Sequence, residues 1–233
     1  MLIHYLGHSG FWIETEESLL LFDYFRGNLA PLREKAKEKP LRVFASHAHK
    51  DHFNPEIFSL MESGRDVRYL LSFDIKGDPQ IPEDACVTYL DADRTYEIEG
   101  LGTVRTLRST DEGVAFLVAS GSGTLYHAGD LNFWDWEGEP AGWLKNQETH
   151  YKEEIAKLAG IPIDAAFIVL DDRLERNFAE GLLLFLSVCD ARFVLPMHYW
   201  KDESVIDRLK AMPETGTFAG RILDTVHEKD WEI

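Results

Sequence analysis

The sequence predicts an α/β protein built as a four-layer αββα sandwich, with two sheets packed face to face and helices on both outer sides. Two observations carry this prediction. Short apolar runs of strand character crowd the first half of the chain, while strands and helices alternate in the second. No repeat, low-complexity tract or linker interrupts the 233 residues, so one domain over 1–233 with a sizeable core is expected.

Leu2–Tyr5, Phe11–Glu14 and Leu19–Phe22 read as short strands, parted by Gly7-His8-Ser9-Gly10 and by a polar turn. Leu32–Lys39 reads as a charged helical connector ended by Pro40. The strand Leu41–Ala45 comes next, then a histidine-rich loop. Asn54-Pro55 then pairs an N-cap with proline at the first helical position, which opens a helix near Pro55–Met61. A strand-rich middle follows in Arg68–Ser72, Cys86–Leu90, Thr95–Ile98, Thr103–Leu107, Val114–Ala119 and Thr124–His127. Glycine-containing turns at 99–102 and 120–123 separate its later members. Gln147–Ala159 and Asn177–Val188 read as helices around the apolar strand Ala165–Leu170. Arg192–Leu195 is a last buried strand and Glu203–Met212 a last amphipathic helix.

Hydrophobic residues make up 45 % and aromatics 12 % of the chain, values of an ordinary globular protein rather than a disordered one. No apolar run approaches the roughly 18 residues that span a bilayer. The start, Met1-Leu2-Ile3-His4-Tyr5, lacks the basic-then-apolar order of a secretory signal, so a cytoplasmic setting is expected. Cys86 and Cys189, far apart and in apolar surroundings, read as reduced core residues. Lys and Arg number 24 against 41 Asp and Glu, a formal charge of −17. Such a surface repels polyphosphate backbones and disfavours nucleic acid, while bound divalent metal would locally reverse the sign for a small anion.

The most informative segment is His47-Ala48-His49-Lys50-Asp51-His52, directly after the strand Leu41–Ala45. Imidazole nitrogens with a carboxylate oxygen are what a borderline-soft divalent cation such as zinc prefers. In an extended loop His47 and His49 point to one side and can meet one ion. Asp51 and His52 fall where the chain turns and can face a neighbouring ion. Two other strand ends supply donors of the same type. His127-Ala128-Gly129-Asp130 follows one strand, with Gly129 letting the backbone turn so that Asp130 reaches inward, and His198 follows another.

These pieces together resemble the metallo-β-lactamase superfamily of metal-dependent hydrolases. The resemblance rests on residues 47–52, His127-Ala128-Gly129-Asp130 and Pro196-Met197-His198. The opening His4-Tyr5-Leu6-Gly7-His8-Ser9-Gly10-Phe11 and the strand end Phe22-Asp23 also look like that superfamily, close to its lactonase-like branch. It implies a metal site at one edge of the sandwich. Asp130 would bridge two ions, His47 and His49 would hold the first, and Asp51, His52 and His198 the second. Asp23 would be a buried acid orienting the metal loop; read from the residues alone, a turn carboxylate serves as well.

One departure matters. The superfamily usually supplies a further histidine to the first ion, yet no histidine lies between His52 and His127. The corresponding stretch, Leu107–Gly113, offers only oxygens. Asp111 is one substitute and His8 another, and the first site would be weaker, harder in its metal preference, or empty. Elsewhere, His4 reads as a packed strand residue, His127 as support for its turn, and His150 and His227 as solvated. Trp134 and Trp136 would either wall a substrate pocket or pack on the core. Asp171-Asp172-Arg173 reads better as a surface turn than as cleft residues.

The expected function is hydrolysis of an ester, lactone or phosphodiester in a small molecule by a metal-activated water, with one or two ions. Zinc is first among the metals, with manganese or iron as alternatives. Asp51 and Asp130 are the candidate catalytic carboxylates. No Gly-x-Ser-x-Gly elbow or Cys–His pairing competes. The alternative is a non-catalytic metal-binding or sensing module with an incomplete first site. The resemblance also disfavours redox chemistry on a di-iron centre, because His49 occupies a position where the superfamily's di-iron branch normally has a carboxylate. The oligomeric state is not legible.

Overall fold

Period-two alternation along the apolar strands divides their side chains between two cores. On the third strand Leu20 and Phe22 join one core while Leu19 and Leu21 join the other. The computed structural model describes residues 1–63 and 66–233. In it the strands are β1 (Leu2–Gly7), β2 (Gly10–Glu14), β3 (Leu19–Phe22), β4 (Leu41–Ala45), β5 (Val67–Ser72), β6 (Val87–Leu90), β7 (Thr95–Ile98), β8 (Gly102–Arg108), β9 (Val114–Ser120), β10 (Gly123–His127), β11 (Ile163–Val169), β12 (Ala191–Met197) and β13 (Asp230–Glu232). The α-helices are α1 (Ala30–Lys35), α2 (Ala141–Ala156), α3 (Glu180–Val188) and α4 (Val205–Ala211).

Among the described residues the strands form a seven-stranded sheet, β13-β1-β2-β3-β4-β5-β6, and a six-stranded sheet, β12-β11-β10-β9-β8-β7. In the first, β1, β2 and β3 are antiparallel neighbours, and β3 through β6 run parallel. In the second, β10, β11 and β12 run parallel and the remainder antiparallel. The core between the sheets joins Ile3, Phe11, Phe22 and Phe44 to Val104, Phe116 and Phe167. On the outer side of the first sheet, Leu32 of α1 and Ile57 and Leu60 pack with Leu19, Leu21 and Val43. On the second, Phe185 of α3 stacks on Tyr126 at 5.5 Å, and Tyr151 of α2 donates to the Gly181 carbonyl. This is the four-layer αββα arrangement.

Several local expectations need correction. The helix expected near Pro55–Met61 is present as a 3-10 helix over Pro55–Glu62, and Asn54 caps it by accepting from the Glu56 amide at 2.9 Å. The first connector helix lies earlier, over Ala30–Lys35, and α2 begins at Ala141, directly after Pro140. Strand β13 carries no signal in the sequence; its three residues close the sheet edge against β1. Cys86 is exposed while Cys189 is buried, because Cys86 lies just before β6, the edge strand, which leaves one side open to water. No helix of the described residues is long and apolar enough to cross a membrane.

Candidate metal centre

Parallel β3 and β4 end beside each other, as do parallel β10, β11 and β12, so residues that follow these strands gather at one edge of the sandwich. Asp23 follows β3, residues 47–52 follow β4, Asp130 follows β10, Asp171 follows β11 and His198 follows β12. The β1–β2 turn adds His8 and the β8–β9 loop adds Asp111. Two groups of donors result. His47, His49, Asp111 and Asp130 form one, and His8, Asp51, His52 and His198 the other, each with candidate ligand atoms within 4.8 Å of one another.

Asp130 lies between them. Its Oδ2 is 3.6 Å from His47 Nε2, whereas its Oδ1 is 3.2 Å from His52 Nε2 and 3.3 Å from His198 Nε2. Within the first group His47 Nε2 and His49 Nδ1 are 3.0 Å apart, and Asp111 Oδ2 is 3.8 Å from His49 Nδ1. All six residues singled out from the sequence thus meet at this edge, together with Asp111 and His8. His8 falls with Asp51, His52 and His198 rather than beside His47 and His49. Of the two substitutes the sequence offers, Asp111 is the one that groups with His47 and His49.

Outer partners hold the rings. Asp23, fully buried, accepts from the Ser46 amide at 2.8 Å and the Ser46 hydroxyl at 2.6 Å, and its Oδ2 lies 2.7 Å from His52 Nδ1. Asp171, also fully buried, lies 3.0 Å from His198 Nδ1 and accepts from the Arg173 amide and side chain. The expectation of a surface turn at Asp171 is therefore wrong: an Asp-Asp-Arg run after a strand looks solvated until β12 brings His198 beside it. His127 Nε2 lies 2.9 Å from the Ser9 carbonyl, and its Nδ1 accepts from the Gly129 amide at 3.2 Å. His4 stacks on Trp12 at 3.7 Å, and His150 and His227 are exposed.

Three buried atoms aimed at this edge complete no hydrogen bond among the described residues: His8 Nε2, His52 Nε2 and Asp130 Oδ1. Leaving such atoms unpaired is costly, and a cation between them would satisfy all three. Nitrogen and carboxylate donors in these groups fit zinc, manganese or iron better than a purely oxygen-loving ion. Burial opposes a charged His198, but the carboxylates of Asp130 and Asp171 outweigh it and lift its pKa to about 10. Burial and the neighbouring His52 push His47 down to about 4. A cation held through His198 Nε2 would compete with the proton that these carboxylates favour there.

The donors open into a cleft of about 240 Å³ walled by Trp134, Trp136, Trp143, Gln147 and Arg173. A larger cleft of about 610 Å³, lined by Met1, Glu14, Lys39 and Glu232 among others, contains none of the clustered donors, so chemistry and not volume marks the site. The indole of Trp134 also donates to the Asp130 carbonyl at 3.1 Å, tying the cleft wall to the central carboxylate. Trp134 thus both packs and lines.

Residues 2–135 match the family profile described as the β-lactamase superfamily domain. The chain belongs to the β-lactamase superfamily. Among relatives in this superfamily, a UPF0173 metal-dependent hydrolase of Pyrobaculum calidifontis is 31 % identical over 209 residues, covering 85 % of this chain and 84 % of that one. Another, from Methanosarcina barkeri, is 28 % identical over 232 residues, covering 91 % and 87 %. The solved structure of Igni18, a metallo hydrolase from Ignicoccus hospitalis, aligns with a TM-score of 0.68 at 15 % identity over 100 % of this chain and 98 % of that one. That likeness establishes the shared sandwich.

Within the superfamily fold, Gly113 decides how closely the oxygen-bearing loop approaches the histidine loop. Its φ is +67°, and a Cβ there would lie 2.0 Å from the Ser46 carbonyl oxygen and 2.6 Å from His47 Cβ. Gly113→Ala is expected to cost about 1–2 kcal/mol from backbone handedness alone, with more from displaced neighbours. It should also move Asp111 away from His49. Urea unfolding reads the first effect and bound-metal analysis the second; an unchanged midpoint would contradict this packing.

Proposed function

We propose that this chain, a metal-dependent hydrolase of the β-lactamase superfamily, cleaves an ester, lactone or phosphodiester bond of a small molecule with a metal-activated water. The observation that carries the reading is Asp130, whose two oxygens face different donor groups, while the buried Nε2 atoms of His8 and His52 stand near carboxylate oxygens without completing a hydrogen bond. His47, His49, Asp111 and Asp130 would hold one ion; His8, Asp51, His52, His198 and Asp130 would hold the other. Zinc suits these donors best. When bound, such ions lower the pKa of a coordinated water to about 7 and polarise the substrate oxygen.

The chain's own residues have separate tasks. Asp130 fixes the spacing between the donor groups. Asp51, partly exposed to the cleft with Oδ2 3.1 Å from His8 Nε2, orients the attacking water by accepting its hydrogen bond. Asp23 and Asp171 keep the Nε2 lone pairs of His52 and His198 turned inward. Trp134, Trp136 and Trp143 exclude bulk water and suit a small substrate. A cytoplasmic location would agree with the thiol at exposed Cys86 remaining reduced.

The test combines two measurements on zinc-reconstituted protein. Metal analysis is expected to find close to two ions per chain. Turnover is expected on at least one of p-nitrophenyl acetate, an aryl lactone and bis-p-nitrophenyl phosphate. One tightly held ion with no turnover on any of the three would overturn the reading in favour of a non-catalytic metal-binding module. The four-donor composition of the first group speaks against that module, because Asp111 supplies the donor whose absence motivated it.

A further inference from the structure

Arg173 is the only lysine or arginine among the described residues that lines the metal cleft. It lies in a short 3-10 segment, Asp172–Asn177, just beyond β11. Its Nε donates to Asp171 Oδ1 at 2.9 Å and its Nη2 pairs with Asp171 Oδ2. Its guanidinium carbon sits 5.6 Å from the Trp136 ring centre and 4.9 Å from that of Trp200. Among the described residues Nη1 has no hydrogen-bond partner. The fork is thus fixed in place by one carboxylate and two indoles, with one nitrogen uncommitted.

We infer that Arg173 is a specificity-determining residue that receives an oxyanion of the substrate, carboxylate or phosphate, whose apolar body lies against Trp134, Trp136 and Trp143. The inference rests on the proposed hydrolytic reading only in taking this cleft as the substrate site. Three physical points support it. A planar guanidinium binds such oxygens through charge-assisted hydrogen bonds, and pre-fixing it lowers the entropy lost on binding. The surrounding indoles offer flat apolar area at small conformational cost. In a chain of charge −17, a cation among the cleft walls is a departure that a neutral substrate would not need. A purely positioning role, in which Arg173 only steadies Asp171 beneath His198, is the competing account.

Equilibrium binding of three probes to the zinc-loaded protein, followed by tryptophan fluorescence, separates the two. The probes are phenylacetate, phenyl phosphate and the neutral phenylacetamide. Wild-type protein is expected to prefer at least one oxyanion probe over phenylacetamide by about tenfold. Arg173→Gln should erase most of that preference while leaving phenylacetamide within about twofold of wild type and the zinc content unchanged. Arg173→Lys, which keeps the charge without the fork, should fall between them. The probe that loses more in Arg173→Gln identifies carboxylate or phosphate as the group received. A preference that survives both substitutions, a wild type with none, or equal loss for all three probes would overturn the inference. Absence of turnover on every ester alongside an Arg173-dependent preference would instead sink the hydrolytic reading and leave this one standing.

Discussion

Asp130→Ala is expected to remove hydrolysis almost completely and to lower the metal content to at most one ion per chain. The side chain is buried and reaches His47 on one side and His52 and His198 on the other, so its loss strips a donor from both groups at once. Loss of an outer partner of a metal ligand typically costs roughly 10–100-fold in affinity or activity. A shared inner carboxylate should cost more, at least about 10³-fold in kcat/KM, or some 4 kcal/mol of transition-state stabilisation. The metal-free protein should also lose stability, because Asp130 is the main group holding the buried His198 imidazolium in place. The rise in melting temperature on adding zinc should shrink, since that rise measures binding to the folded state alone. Asp130→Asn, which preserves shape but not charge, should lie between. A variant with full metal content and full hydrolysis of its best substrate would refute the assignment of Asp130 as the bridge.

Much of this centre is legible in the sequence because its donors sit where parallel strands end. A strand followed by His-x-His-x-Asp-His, by Gly-Asp or by a lone His announces donors at a common sheet edge once the strands are known to be parallel. What sequence cannot supply is the pairing between loops. His8 is separated from His198 by the whole molecule in sequence, yet the His198 amide donates to the His8 carbonyl at 3.1 Å, and the rings stand 4.3 Å apart. Both residues have positive φ, an uncommon backbone for histidine that only tertiary packing explains. Asp171 and Arg173 were missed for a related reason. Their signal, a charged run after a buried strand, is the same for a solvated turn, and only the register of β11 beside β12 places Asp171 under His198. The short strand β13 has no periodicity to read in three residues.

Asp23→Asn is expected to weaken metal binding by about 10–100-fold and to destabilise the metal-free protein by about 1–3 kcal/mol. The carboxylate receives only donors: the Ser46 amide, the Ser46 hydroxyl and the His52 Nδ1–H. An amide cannot reproduce this. With its nitrogen at the Oδ2 position it meets His52 Nδ1, and His52 must then carry its proton on Nε2, where the cation needs a lone pair. With the amide flipped, its nitrogen meets the Ser46 N–H instead. Asparagine tolerates the φ of +42° at this position, so backbone strain does not confuse the comparison. Burial works against ionised Asp23, but His127, His52 and His47 around it outweigh that and hold its pKa below the usual carboxylate range. A depressed folded-state pKa contributes stability above the unfolded value near about 3.9, and that contribution fades as pH falls through the lower folded value. The stability gap between wild type and Asp23→Asn should therefore be full at pH 7 and narrow below about pH 4. Zinc titrations at pH 7 and urea unfolding across this range test both halves. Wild-type zinc affinity in Asp23→Asn would show that His52 needs no such partner to present its ring nitrogen.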